Sequence, residues 1–364
     1  MSAIHELQDA PSDSISSLAF SPSGTKLVVA SWDSSITIYT RSSESETPFA
    51  LESTYETRAP VLDVCLGKDD NSLYCVGLDG DVRDMSQAVT GGEERVLSSH
   101  SKESNKVVYS KNHNLILSTS WDGSMHAHNV DNGAFIRIQL PAKPFALAVT
   151  AERVVVAMAE RKVSVYDLGG ISALISRSAS SDPNQAFTSV PVWQERESSL
   201  KFMTRAIACM PNNKGFAVSS IEGRVGVEWF DPEAQKDMYA FKCHRQTTKA
   251  RLQGQDTEEE IDVVYPVNAL AFHPVHGTFA TGGGDGVVAL WDANTKRRVR
   301  QYPKLGASVA AVDFSNDGKF LAIAVSPGFE DGEEKPEGLD TPGSVIKVVI
   351  RTLSELEAKG KAAK

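Results

Sequence analysis

Five cations, Lys201, Arg205, Arg224, Lys242 and Arg245, gather between residues 197 and 245 of a chain whose formal net charge is −10. Guanidinium forks converging with an ammonium make a site for a carboxylate or a phosphate. Charge-assisted hydrogen bonds are strong, and a planar fork meets two oxygens at once. The stretch reads as four short strands, at 200–209, 215–221, 224–230 and 239–244. Turn residues separate them: Pro-Asn-Asn-Lys-Gly, Glu222-Gly223 and Asp231-Pro232. Antiparallel pairing sets the direction of each strand. It puts Arg205 early in the first, Arg224 at the start of the third and Lys242 late in the fourth, so all three reach one rim. Solvated charges that blunt a sheet edge would look the same, and the pattern leaves both readings open.

Two tryptophans add to this rim. Trp32 and Trp121 each precede the Asp of a turn between second and third strands, Asp33 and Asp122, on the face where the cations gather. Tryptophan on an exposed turn is a frequent binding anchor. The rings could equally pack on a neighbouring repeat. Trp229 and Trp291 alternate inside strands and read as core, and Trp193 lies in an insertion with no assignment.

The elements that position these residues recur. Copies of the four-strand plan start near Ile15, Val61, Lys106, Phe145, Leu200, Tyr265 and Ser308. Asp33, Asp79, Asp122, Glu222 and Asp285 mark the same turn in five of them. Acid-Gly pairs at most of these turns are hairpin signals. Trp291-Asp292 closes a third strand in the WD40 manner. The expected fold is all-β, a seven-bladed WD40 β-propeller spanning residues 1–353. Ile4 to Leu7 should supply the outer strand of the last blade and so close the ring. Insertions at about 169–196, 246–261 and 327–342 show no apolar stripe and read as mobile loops. Residues 354–364 read as a charged flexible tail.

Composition narrows the function. The acidic balance argues against direct nucleic-acid binding, which needs a basic face. No apolar run is long enough for a bilayer, and the four cysteines sit singly in strand runs, as in a reducing compartment. The glycine run 282–286 lacks the Lys-Ser/Thr of a phosphate loop. His126 and His128 have no third ligand at metal spacing, and no nucleophile elbow or Cys/His pair is present. No catalytic residue, metal or cofactor is expected.

ISSLAFSPSG, ASWDSSITIY, STSWDGSMHAHNV, ESSLKFMTR, SSIEGRV, YAFKCHR and YPVNALAFHPVHGTFATGGGDG together resemble a WD40 family of the mitotic checkpoint, the third member of the budding-uninhibited-by-benzimidazole group. The likeness covers nearly the whole chain and is weakest in the insertions. The sister messenger-RNA export propellers of the nuclear pore share KxxxR, SSIEGRV and FKCHR. The resemblance implies a non-enzymatic scaffold, monomeric by itself, in the nucleus and at the mitotic kinetochore. It implies binding of the GLEBS segments of a checkpoint kinase and of its pseudokinase or adaptor relative, with Trp32, Trp121, Arg205 and Arg224 as contacts. It further implies reading of phosphothreonine in MELT-type repeats of the kinetochore scaffold, with Arg205, Arg224 and Lys242 on the phosphate. The sister family implies an alternative, an export adaptor binding a nucleoporin GLEBS segment.

Overall fold

The computed structural model describes residues 4–42, 47–178, 182, 185–251, 258–328 and 346–360. Seven four-stranded antiparallel sheets form the blades of a propeller. Blades 1 to 6 take their inner strands from Ile15–Phe20, Val61–Leu66, Ser104–Ser110, Pro144–Val149, Thr204–Cys209 and Val267–Phe272, and blade 7 from Ser308–Phe314. Each inner strand packs on the next, and that of blade 7 on that of blade 1, so the ring is closed. Runs such as KLVVAS and GFAVSS form second strands buried along their length, because both faces meet a neighbouring blade.

The outer strand of blade 7 is Ile4–Glu6, paired with Lys347–Thr352 in the register Ile4↔Arg351 to Glu6↔Val349. Leu7 is buried beside Ile15, Phe49 and Phe320. The ring is therefore closed by joining its two ends in one sheet, as expected from the orphan edge.

Polar ties cross the blade seams. Blade 6 carries a Trp-Thr-His-Asp chain: Trp291 Nε1 donates to Thr281 Oγ1 (3.0 Å), and His244 bridges Thr281 and Asp285, 2.8 Å on either side. Trp291 thus packs beside the core through a satisfied indole N–H. Blade 3 replaces the indole with histidine. His100 reaches Ser118 and Ser124, His126 stacks on His100 at 3.6 Å, and Ser98 Oγ lies 2.8 Å from both His126 Nδ1 and His128 Nε2. These three imidazoles form a buried structural cluster, in which His128 meets His126 edge-on and stacks on Phe135 at 4.9 Å. Blade 2 uses Arg83, only 2% exposed, held by Asp79, Asp81 and Glu94.

Three stretches read as loops differ. Leu168–Ser178 is a helix, α1, that buries Leu168, Ile171 and Ile175 against blades 3 and 4. Its three apolar positions at i, i+3 and i+7 were too few to stand out in a Ser-rich run. Val192–Glu197 is the outer strand of blade 4. Residues 246–261 are largely a β-hairpin, Arg245–Arg251 with Glu258–Val264, stabilised by cross-strand pairing that composition does not reveal. Of 327–342, residues 329–342 lie outside the described residues. The supposed tail begins with a docked turn, Glu355–Ala358 (α2). Glu357 there is buried on Arg351, 2.8 Å away, and Ala358 joins the core of blades 6 and 7.

Candidate functional site

Each inner strand carries a register shift near its start. The shifts lie at Ile15/Ser17, Val61/Asp63, Ser104/Lys106, Pro144/Ala146, Thr204/Ile207, Val267/Ala269 and Val309/Ala311. A β-bulge leaves an unpaired residue and re-aims its side chain. The skipped residues are Ser16, Leu62, Asn105, Phe145, Arg205 with Ala206, Asn268 and Ala310. All but Ala206 line one cavity of about 460 Å³ at the mouth of the central channel. Arg205 is the one charged member of this ring of bulge residues.

Trp32 and Trp121 line the same cavity. They hold equivalent places in blades 1 and 3. Trp32 N–H donates to Ser14 O (2.9 Å) and Trp121 N–H to Glu103 O (3.0 Å). Beside each, the turn Asp accepts from the loop of the preceding connection: Asp33 from Ser12 N–H at 2.8 Å, Asp122 from Ser101 N–H at 2.9 Å. Burial would raise the Asp33 carboxyl, but hydrogen bonds from Ser35 and Ser12 outweigh it and hold it low. For Asp122, burial is likewise outweighed, by His100, Ser124 and Ser101, and the carboxyl stays far below its ordinary range. Both turns are rigid platforms. Trp32 is 39% exposed. Lys143 Nζ sits 4.6 Å from the Trp121 ring centroid, a cation–π contact at the cavity wall.

The cations divide into two groups. Arg205 donates from Nε and Nη2 to Asn268 Oδ1, at 3.1 and 2.9 Å, across the seam of blades 5 and 6. It belongs with Trp32 and Trp121 at the channel mouth. Arg224 and Lys242 lie farther out on the rim of blade 5, where they are direct cross-strand partners. Adjacent strands are about 4.8 Å apart, so Arg205 stands roughly 10 Å inward of Arg224. Arg224 Nε is 3.4 Å from Glu222 Oε2, within ion-pair range, yet it has no hydrogen-bond partner among the described residues. Arg245 joins it: Nη2 donates to Glu222 O (2.9 Å), and its buried Nε also has no hydrogen-bond partner there. Gly223, at φ 60°, makes the tight turn beneath them; a Cβ there would come within 2.7 Å of Cys243 O.

Reading by strand direction missed five contributors. Lys106 and Lys143 line the channel mouth, and Met203 and Phe202 are 47% and 50% exposed beside Arg205. Ile221, also exposed, donates its N–H to Met203 O, the place that Trp32 and Trp121 hold in their blades. The repeat alignment alone could have found Ile221. Trp193 lies on the outer strand of blade 4 under Arg153, 4.2 Å from its ring, away from this face.

The WD domain, G-beta repeat model matches residues 2–40, 91–129 and 264–292. Mitotic checkpoint protein BUB3.1 of Arabidopsis thaliana is 38% identical over 99% of the chain and 96% of its own length. The chain belongs to the Bub3 family of mitotic checkpoint proteins. Spindle assembly checkpoint protein bub3 of Schizosaccharomyces pombe is 35% identical over 86% of the chain and 88% of its own length. The Poly(A)+ RNA export protein of the same yeast is 29% identical over 90% of the chain and 85% of its length. Several Bub3 proteins lie above the export protein in identity, which supports a checkpoint role for the chain.

Proposed function

We propose that the chain is a non-enzymatic scaffold of the spindle checkpoint. It binds GLEBS segments of the checkpoint kinase and its adaptor relative and delivers them to phosphorylated MELT-type repeats. This work takes place in the nucleus and, in mitosis, at kinetochores. The reading rests chiefly on the channel mouth, where Trp32, Trp121 and Arg205 share one cavity beside the cationic rim of blade 5. Trp32, Trp121, Arg205 and Arg224 take the GLEBS segment, with the rings as apolar anchors and the guanidinium groups on its acids. Arg224 and Lys242, cross-strand partners at the rim, take the phosphothreonine, whose charge of nearly two favours adjoining cations, and Arg205 acts on it at longer range from the channel mouth.

The test is titration of the chain with a GLEBS peptide, followed by a MELT peptide with and without phosphate on its threonine. Tight binding of the first, and phosphate-dependent binding of the second to the complex, are expected. A MELT peptide bound equally well in both forms would overturn the phosphate assignment. Binding of a nucleoporin GLEBS peptide alone would instead favour the export reading.

A further inference from the structure

The hairpin between blades 5 and 6 belongs to none of the seven sheets. Among the described residues, Arg245–Arg251 and Glu258–Val264 pair with each other alone, in a sheet of two strands. Each strand has seven residues, about 24 Å of chain. No described side chain of the hairpin is buried. A two-stranded ribbon is marginal by itself and gains most from a third strand.

Its base is nevertheless fixed. Arg245 is tied to Glu222 O, His244 is locked into the polar chain of blade 6, and Tyr265 N–H donates to His244 O at 3.0 Å. That last bond makes residues 244 and 265 a hydrogen-bonded pair. Alternation along an antiparallel ladder then turns the backbone groups of Arg245, Thr247 and Lys249 outward, away from the partner strand.

Charge is sorted between the two strands. RQTTKAR has three cations and no acid, while EEEIDVV has four acids and no cation. Lys249 stands opposite Glu260, and Thr247 Oγ1 donates to Asp262 Oδ1 at 2.9 Å. On the far strand, Val264 lies against Gly223, which crowds that edge at its base. The cationic edge runs on directly from Lys242 and Arg224 at the rim of blade 5.

We infer that the Arg245–Arg251 edge is a strand-addition site for an extended, acidic segment of a partner protein. Main-chain hydrogen bonds to the outward groups supply affinity, and acids beside Arg245 and Lys249 supply sign selectivity. The cationic edge repels a second cationic edge, so two copies do not pair there symmetrically. The site lies outside the five residues assigned above and stands or falls independently of them.

The probe is the peptide acetyl-Glu-Val-Glu-Thr-Glu-Val-Glu-amide, titrated into the full chain, with a Lys-for-Glu counterpart as control. Saturable binding of the acidic peptide is expected, with the lysine peptide at least about tenfold weaker. Thr247→Pro removes an outward N–H without touching the inner ladder and should weaken binding roughly tenfold. Lys249→Glu should do the same, while Lys319→Ala, at an exposed turn of blade 7, should leave binding unchanged. Methylating alternate amides of the peptide should weaken binding to the unaltered chain by a similar factor, a readout independent of how the proline variant folds. Lack of binding, or insensitivity to both proline and peptide methylation, overturns the inference. Loss in Arg224→Ala alone moves the peptide to the blade rim, and stronger binding of the lysine peptide moves it to the acidic strand. Concentration-dependent self-association abolished by Thr247→Pro would show that the occupant is the acidic strand of another copy, and would overturn the inference too.

Discussion

Arg224 and Lys242 face each other across the two outer strands of blade 5, at the rim and not at the channel mouth. Arg205, which precedes them in the chain, is carried inward by a bulge and held on Asn268 of the next blade. One blade therefore offers cations at two radii. A ligand that uses all three must cross from the mouth to the rim.

Phosphate selectivity should follow that division. Arg224→Ala should erase most of the preference for phosphorylated over unphosphorylated MELT peptide, a loss of tenfold or more, since a charge-assisted hydrogen bond contributes about 1.5–3 kcal/mol. Arg224→Lys should restore it only in part, because an ammonium lacks the fork. In double-mutant cycles Arg224 and Lys242 should couple, whereas Arg205 and Lys242 should be close to additive. Calorimetric titration of each variant decides it; an undiminished preference in all three alanine variants would place the phosphate elsewhere.

The tryptophans should act as anchors and not as supports. Trp32→Ala and Trp121→Ala should each weaken GLEBS-peptide binding by about 2 kcal/mol or more. Trp32 is partly exposed and its turn is held by Asp33, so thermal melting should barely change. Trp121 also carries Lys143, and Lys143→Ala should weaken the peptide less than loss of the ring does. Variants that melt early yet bind normally when folded would mean that the rings serve packing.

Acid should destabilise the propeller through blade 3. Burial, with His100 and His128 nearby, pushes His126 far below its ordinary value, and burial with His100 pushes His128 down to about 3. The unfolded chain takes up protons below about pH 6.5, while these rings stay neutral in the folded one. Their stability contribution is complete above that pH and is lost as pH falls, by about 1.4 kcal/mol per pH unit for each ring. Asp313 has the opposite sign. Burial raises its carboxyl to about 7 against hydrogen bonds from Phe20 and Phe314. Its contribution is complete below about pH 4 and is lost as pH rises through 7. It therefore offsets one ring between pH 6 and 4, and because burial also holds His100 and His273 low, a net loss of at least roughly 1 kcal/mol per unit remains. Urea midpoints against pH should show this slope, flattened in His126→Phe and steepened in Asp313→Asn. A flat profile for the unaltered chain would refute it.

Closure of the ring depends on apolar burial and not on its surface ion pair. Leu7 is buried at 3% exposure, so Leu7→Ala should cost about 2–3 kcal/mol. Glu6 lies 3.6 Å from Lys347 but is mostly exposed, so Glu6→Ala should cost under about 0.5 kcal/mol. Thermal melting of the two variants, beside a deletion of residues 1–7, separates these contributions; equal effects would contradict the burial argument.

The blade number and the ring closure were legible in the chain alone, as was the shared edge of Arg224 and Lys242, whereas the convergence of Arg205 with them expected from strand direction is not what the fold gives. Period-two burial, turn residues at fixed offsets and antiparallel direction are local rules that need no distant partner. A Ser-rich helix with three apolar positions and a hairpin sorted by charge were not legible, because their stability comes from the blade wall behind α1 and from the strand opposite. The position of Arg205 was decided by tertiary structure alone. A bulge is a mismatch in register between two strands, and the bond to Asn268 exists only once the inner strands of blades 5 and 6 stand side by side. The residue types thus supplied the charges and rings. Packing of seven bulged strands around one channel decided that Arg205 joins Trp32 and Trp121 at the mouth, while Arg224 and Lys242 remain at the rim.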